Sequence, residues 1–522
     1  MDKLPNEVIE RIVGHLPNKP LAQYATISRR WQKPVEKRTF ETIKIKSTPE
    51  DWSSFFRYII VRPQTRYRIQ YLRTIMYTVV MLSGQTILPS QRGTLNPLTQ
   101  TLYPSTGRGD YSELDHEVTA HIKKVFDLLE YCDQYRASEG RQTGGLGGLT
   151  LELGWVLTSI PKQLMREPLH GSFKITTTLG DDQISFPKIQ CVSKLVLHTF
   201  DTINKDTRSL APVAALELSP FLPSLKRLEI VSGAVFDYRT RIQQWEVNRH
   251  VMNRNDFVAN LSQVGFNPLL SCSEVSLSLE KDVGYDFANR PYPVFYCPFG
   301  YEQLSQAMRL WSYNLISMDL SGLFSSSLFW PKAFEPRLSL ASHAMAWPRL
   351  KNLHVKFLQM TPAGRWYFTR QFIPGTEPKS YRTIPRANEL EPLLKSWARA
   401  LAHMPALEQA TIRWSLNPIT ELPRHQEAWE PLHPESEERV PPRDWLVGFQ
   451  APGTMLDPNR HPWEANVSDD LRNRPRLTFQ NDDHWRPHAW IILQLGAVAK
   501  KKFPNHDMVV LQVDKEDRVT EI

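Results

Sequence analysis

The stretch Asp115-His116-Glu117-Val118-Thr119-Ala120-His121 sets two histidines among acids, the side chains of a helical zinc site. Two histidines share a helix face at a spacing of four, because a turn takes about 3.6 residues. Here the spacing is five, which turns the second ring well away from the first. The segment therefore reads as the polar side of an amphipathic helix. Gly144-Gly145-Leu146-Gly147-Gly148 is glycine-rich, but it precedes a strand-like run and lacks the Gly-Lys-Ser/Thr ending of a phosphate loop. His484 and His488, near Asp482 and Asp483, lack further ligands to complete a metal shell and read as a surface turn. No Gly-x-Ser-x-Gly, paired catalytic carboxylates or Cys-His neighbourhood stands out. The expectation is a binding protein with no catalytic residue, no cofactor and no metal.

Composition narrows the class. The chain has 522 residues, 41% of them hydrophobic, enough for two or three units around a large core. Its net charge of +8 lies entirely in residues 1–75, where 15 Lys and Arg face 7 Asp and Glu. The remaining 48 basic and 48 acidic residues balance. Such a basic segment can meet an acidic protein as readily as a phosphate backbone. Arg62, Arg66, Arg68 and Arg73, with Tyr67 and Tyr71 between them, have the types that bind nucleic acid by charge and stacking. The preferred expectation is a solvated approach to a strand near an acidic protein partner. Cys132, Cys191, Cys272 and Cys297 are scattered, with no C-x-x-C pair, which points to a reducing compartment. With no apolar leader and no stretch long enough to span a bilayer, the protein is expected to be intracellular, in cytoplasm or nucleus, and away from membranes.

The elements begin at the N-terminus. Leu4-Pro5-Asn6-Glu7 opens a helix with proline in the first turn and an acid at the positive end of the dipole. Ile9, Ile12, Val13 and Leu16 then recur at helical spacing. Pro17 stops that helix, a second carries Leu21, Tyr24 and Ala25, and a third carries Ile27 and Trp31 and is expected to end near Pro34. Three short helices in about 40 residues build a poor core of their own and need a partner where no metal or disulfide helps.

Leu4-Pro5-x-Glu7-x-Ile9-x-x-Ile12-x-x-x-Leu16-Pro17, then Leu21 and Ile27-Ser28-Arg29-Arg30-Trp31, resembles the F-box in residue types and spacing. The resemblance covers residues 1–46. It implies docking to the Skp adaptor subunit, and through it to cullin and RING subunits of an SCF-type ubiquitin ligase. On that resemblance Leu4, Pro5, Ile9, Ile12, Leu16 and Leu21 face the adaptor, with Trp31 packed behind or beside them. Lys19-Pro20 departs from the acidic or small polar residue common before Leu21. The alternative is an ordinary three-helix subdomain whose Leu-Pro start is chance.

Beyond it the pattern L-x-x-L-x-L recurs at Phe40-Ile43-Ile45, Leu72-Ile75-Tyr77, Val192-Leu195-Leu197, Leu225-Leu228-Ile230, Cys272-Val275-Leu277, Leu315-Met318-Leu320, Leu350-Leu353-Val355 and Leu407-Ala410-Ile412. Leu149–Leu153 adds a ninth candidate strand. Helical patterns lie between, opened by Thr48-Pro49-Glu50-Asp51, by Ser112 with Asp115 and by Asn388 with Glu391. This α/β alternation resembles a leucine-rich-repeat horseshoe, but the spacing runs from 32 to 120 residues, and Gly233, Leu323 and Leu358 stand where a repeat asparagine belongs. The expected body is an irregular leucine-rich-repeat-like solenoid over 47–416, with a non-repetitive α/β domain as the alternative. Ser83–Tyr111 and Ser138–Gly148 read as loops. Nine of the 15 Trp residues lie beyond position 346, beside the Pro418–Pro442 run, so 417–522 is expected to form a Trp- and Pro-rich cap. Thr361–Phe368 resembles a segment found in F-box proteins of filamentous fungi.

Side chains alternate along a strand, so the second and third apolar positions of each pattern are expected to point inward. The residues between them then share one outward face, on which Lys194, His198, Arg227, Glu229, Asp319, Asn352, His354, Lys356 and Arg413 are candidates for holding a protein target. The alternative is the solvated side of a half-buried sheet. The function expected is substrate recognition without chemistry. The rivals are an F-box scaffold that delivers no substrate and a nucleic-acid binder using the basic N-terminus.

Overall fold

A computed structural model describes residues 4–17, 21–60, 62–81, 112–138, 148–158, 173–179, 182–199, 207–208, 210–232, 253–261, 271–279, 302–332, 347–370, 382–416, 443–481, 485–514 and 516–522. The expected loop Ser83–Tyr111, most of the expected loop Ser138–Gly148, the Pro418–Pro442 run and Cys297 lie outside these residues, as does His484 of the expected turn. The chain divides into two compact units, Met1–Gly233 with Asn267–Cys272, and Ala234–Phe266 with Ser273–Ile522.

The first unit opens with helices α1 (Asn6–His15), α2 (Leu21–Tyr24) and α3 (Arg29–Thr39). Sequence suggested that α3 ends near Pro34, but it runs on to Thr39 with Pro34 buried inside it. Proline removes one helical hydrogen bond. The turn beyond it is held by tertiary contacts: Val35 joins Trp31, Ile9 and Val13 in a small core, and Arg38 donates to the Val13 carbonyl.

Next come β1 (Thr42–Lys46) and α4 (Pro49–Phe55). The Thr48 hydroxyl accepts from the Asp51 amide, and the Asp51 carboxylate reaches the Lys46 amide. A π turn (Phe56–Ile60) and a 3-10 segment (Pro63–Tyr71) lead to β2 (Thr74–Met81) and α5 (Ser112–Ser138). Then follow β3 (Leu149–Thr158), the short β4 (Thr178–Leu179) and β5 (Asp182–Gln183), β6 (Val192–Thr199), β7 (Thr207–Arg208), α6 (Val213–Leu218) and β8 (Arg227–Ser232). β1, β2, β3, β6 and β8 pair in chain order and parallel, with β7 antiparallel to the end of β3. Tyr77 on β2 donates to the His121 carbonyl on α5, so α5 covers the inner face. In the middle of β3, Gly154 takes a φ of 130°, and a Cβ there would run into the His198 carbonyl. Only glycine fits that approach.

The second unit holds α7 (253–261), β9 (Glu274–Ser278), α8 (Gln303–Ser312), β10 (Ser317–Gly322), β11 (Asn352–Phe357), β12 (Phe368–Arg370), β13 (Arg382–Pro385), α9 (Ala387–Leu401) and β14 (Gln409–Leu416). β15 (Arg443–Gln450), α10 (Asp469–Arg472), β16 (Arg476–Gln480), α11 (Ala489–Lys502), β17 (Val509–Val513) and β18 (Val519–Glu521) complete it. β9, β10, β11 and β14 are parallel and in chain order. β15 then turns antiparallel on β14, β16 antiparallel on β15, β17 parallel to β16 and β18 antiparallel to β17. The stretch expected as a cap thus continues the sheet of its own unit. Among the described residues Trp347, Trp397, Trp414, Trp445 and Trp463 are buried in its interior. Trp414 packs 5.1 Å from Trp445, 5.3 Å from Phe357 and 5.5 Å from Tyr367, and Trp445 lies 4.9 Å from Trp485. The fold is mixed α/β with a largely parallel arrangement of strands. No described helix is long and apolar enough to cross a membrane.

Candidate functional site

Two surfaces gather the residues singled out above. On α1 the apolar positions split between two sides. Ile9 and Val13 are buried with Leu21, Trp31 and Val35, while Leu4 and Leu16 pack half-buried at the margin. Pro5, Val8 and Ile12 face outward, Val8 being 40% and Ile12 37% exposed, and Ile27 is 43% exposed. Of the residues expected at an adaptor surface, Ile9, Leu21 and Trp31 thus build the small core, whereas Pro5 and Ile12 reach solvent. Val8 and Ile27 were not among the residues expected at the adaptor surface, because an apolar stripe does not say which of its edges turns inward.

This small core is fastened to the sheet by one carboxylate. Glu36 on α3 is buried and accepts from Arg68 at 2.6 Å, from Gln32 at 3.2 Å and from the Tyr67 hydroxyl. Burial alone would raise its pKa; these hydrogen bonds and the Arg68 charge outweigh burial and hold it below its ordinary value. Arg68 also lies 4.6 Å over the Phe40 ring, and Arg66 donates to the Ile60 carbonyl. Arg66, Tyr67 and Arg68, three of the six residues considered for nucleic acid, are therefore engaged inside the unit.

The second surface is the outward face of the parallel strands. Of the sixteen inward positions fifteen are buried, and Ile43 on the edge strand β1 is half-buried. Outward residues align in rows across the strands. In the first unit Thr42, Thr74, Thr150, Lys194 and Arg227 form one row. Lys194 pairs with Glu229 at 2.7 Å, Arg227 lies 3.7 Å from Glu229, and His198 lies 3.6 Å from Glu152. In the second unit Ser276, Asp319, His354 and Thr411 make the central row, flanked by Glu274, Ser317, Asn352 and Gln409 and by Ser278, Ser321, Lys356 and Arg413. His354 Nδ1 is 2.8 Å from the Thr411 hydroxyl, and Gln409 donates to Asn352 at 2.9 Å.

Sequence gave no sign of what lies over part of this second row. Leu446 on β15 aligns with Arg413, so the outward face turns apolar there. Leu456, Trp463 and Val467 cover Leu446 together with Val509, Leu511 and Val513. A fully buried pair, Arg476 with Glu464 at 2.8 Å, fixes that segment. From it Arg460 reaches Asp319 at 3.3 Å, while Arg413 pairs with Asp444 at 2.5 Å. His461, 7% exposed, has its pKa lowered to about 4, by burial first and then by Arg413 and His354. His354 is also lowered, chiefly by burial, with Asp319 opposing.

The segment weighed for a zinc site lies on α5. His121 on α5 is lowered to about 4 by burial, with Lys124 adding to it, and Asp115 is raised to about 6 by burial while accepting from the Lys174 amide. Cys132, Cys191 and Cys272 are buried. Burial pushes the Cys132 thiol up to about 12. Among the described residues no group of three His, Cys, Asp or Glu could hold a metal ion. Thr361–Phe368 forms a tight turn, with Gly364 at φ 74° and the buried Tyr367 hydroxyl donating to the Phe324 carbonyl.

A model of the F-box domain matches residues 1–33, which hold α1, α2 and the start of α3. No curated protein matches the chain.

Proposed function

We propose, from the F-box domain matched at residues 1–33, that this chain is a substrate-recruiting subunit of an SCF-type ubiquitin ligase. F-box domains bind the Skp adaptor within such complexes, and a role in substrate recognition follows from the domain in general terms. F-box proteins are typically adaptors rather than enzymes. The observation that carries the proposal further is the outward pair Val8 and Ile12 on α1, beside Pro5, above a core of Ile9, Val13, Leu21 and Trp31. A helix of a small core that leaves two large aliphatic side chains in water is stabilised by a partner that covers them. In this reading Leu4, Pro5, Ile12 and Leu16 meet the adaptor directly, and Ile9, Leu21 and Trp31 hold that face from behind. Cullin and RING subunits join through the adaptor.

The body, 47–416, is an irregular leucine-rich-repeat-like solenoid closed by a cap at 417–522. Parallel strands in chain order within each unit support it. The fungal kinship rests on Thr361–Phe368. The outward strand faces, with Lys194, His198, Arg227 and Glu229 in one unit and Asp319, Asn352, His354, Lys356 and Arg413 in the other, hold a protein target. Holding it near the charged enzyme raises the effective concentration of its lysines, so no catalytic residue is needed. The site of action is intracellular. The test is a target recovered with the chain from its native cell. Its half-life should lengthen on removal of the Skp adaptor; an unchanged half-life leaves a scaffold without a ubiquitination role.

A further inference from the structure

Helix α11 is apolar on nearly every side. Ile491, Leu495, Val498 and Ala499 are buried. On the opposite side Ala489, Leu493 and Ala497 are exposed and Trp490 and Gly496 half-buried, with Gln494 the one polar side chain before the final lysines. Leu493 is 72% exposed, against 40% for Val8 and 37% for Ile12 on the F-box helix. One exposed leucine is ordinary; a helix apolar all round is normally covered all round.

Gly496 adds an independent observation. A glycine inside a helix costs about 1 kcal/mol relative to alanine. Among the described residues a Cβ there would meet only Met508 Cε, at 3.7 Å, an ordinary contact. The packing of the described residues does not call for glycine at this position. A bare backbone beside Leu493 lets a second backbone approach closely.

The rim is cationic. Helix α9 lies beside α11, and Lys395 stands 4.6 Å over the Trp490 ring while Arg399 stands 4.9 Å over Trp330. Lys500 and Lys501 are exposed in the last turn of α11, with Asp507 3.4 Å from Lys500. Cations in a last turn serve the helix dipole. Lys395, in the middle of α9, has no such role.

We propose that this face of α11, with Lys395 and Arg399, is a docking surface for an acidic amphipathic helix of a protein partner. The partner's apolar stripe lies over Leu493 and Ala497, its backbone passes Gly496, and its carboxylates meet Lys395, Arg399 and Lys501. Charge decides the occupant. A second copy of this chain would set the same lysines against each other across a two-fold interface. A lipid surface takes up large side chains, and here small residues surround a single leucine. The surface belongs to a different unit from the F-box, and the inference does not depend on the ligase reading.

The probe is a labelled synthetic peptide of about 18 residues with leucines at i, i+3, i+4 and i+7 spacing and glutamate elsewhere. Its fluorescence anisotropy is titrated with the full chain. Saturable binding is expected, weakened at least about tenfold by Leu493→Glu and by Lys395→Glu with Arg399→Glu. Gly496→Ala should weaken it about threefold or more while leaving thermal stability equal or higher, a combination that a purely structural glycine does not give. Equal binding by a lysine version of the peptide would overturn the proposal, as would indifference to Leu493→Glu. Leu493-dependent self-association in sedimentation would assign the face to a second copy instead. Preference for phosphatidylserine vesicles over the peptide would assign it to a membrane.

Discussion

The Glu36 carboxylate on α3 accepts a 2.6 Å hydrogen bond from Arg68, 32 residues away in the 3-10 segment before β2. Both side chains are largely buried, at 8% and 16% exposure. This contact couples the three N-terminal helices to the sheet that follows them. A flexible tether would let the F-box swing; a buried ion pair with the Tyr67 hydrogen bond beside it fixes its orientation on its own unit.

Arg68→Met should therefore destabilise the first unit by about 3 kcal/mol, the low end for stranding one partner of a buried pair. Urea denaturation followed by tryptophan fluorescence measures it. Adding Glu36→Gln should recover part of the loss, since the stranded charge is then gone. The wild-type pair also has a pH signature. Glu36 is depressed in the fold, so its contribution is full above its ordinary pKa of 4.5 and is lost as pH falls through the lower folded value. Arg68→Met should flatten that acid limb.

His461 gives an acid limb of a different origin. It is neutral in the fold, with a pKa lowered to about 4 from 6.5. The unfolded state binds the extra proton, so stability rises with pH between those values and is lost on acidification below 6.5. At pH 4 the loss is on the order of 3 kcal/mol. His461→Gln should remove most of this dependence, read as a smaller difference in denaturation midpoint between pH 7 and pH 4.

Arg227→Glu and Lys356→Glu should weaken capture of a recovered target while adaptor binding stays unchanged. Each reverses the charge of an outward residue on a strand whose inward neighbours, Leu228 and Ile230 or Leu353 and Val355, stay in place. Arg460→Ala tests the covered part of that face. With Asp319 released, capture should strengthen if the target uses that carboxylate. Capture that survives both reversals and fails on deletion of residues 417–522 would move the receptor site to the C-terminal part.

The strands were legible because their signal is local. Alternation placed Leu195, Leu197, Met318, Leu320, Leu353 and Val355 on the inner side, and all are buried. On the edge strand β1, Ile43 is half-buried while Ile45 is buried. Helix ends and faces were less legible. Pro34 argued locally for a stop, and contacts of Val35 and Arg38 to α1 overrode it. Ile9 and Ile12 looked alike in one stripe, and the core of Val13, Leu21, Trp31 and Val35 takes in the first and leaves the second exposed. The cover over the outward face was not legible at all. Arg460 and Asp319 are 141 residues apart, and neither has a local pattern that names the other. The Trp-rich C-terminal composition did not show that Trp414 and Trp445 meet edge to face in one interior.

The most direct measurement is the affinity of the full chain for the purified Skp adaptor, by calorimetry, with wild type beside Val8→Glu/Ile12→Glu. Both residues lie outside the buried core of Ile9, Val13, Leu21, Trp31 and Val35, so the variant should keep the wild-type denaturation midpoint. The account predicts that its adaptor affinity falls at least about a hundredfold, the cost of placing two charges in a desolvated interface. Wild-type affinity in that variant, with the fold intact, would contradict docking through this face of α1.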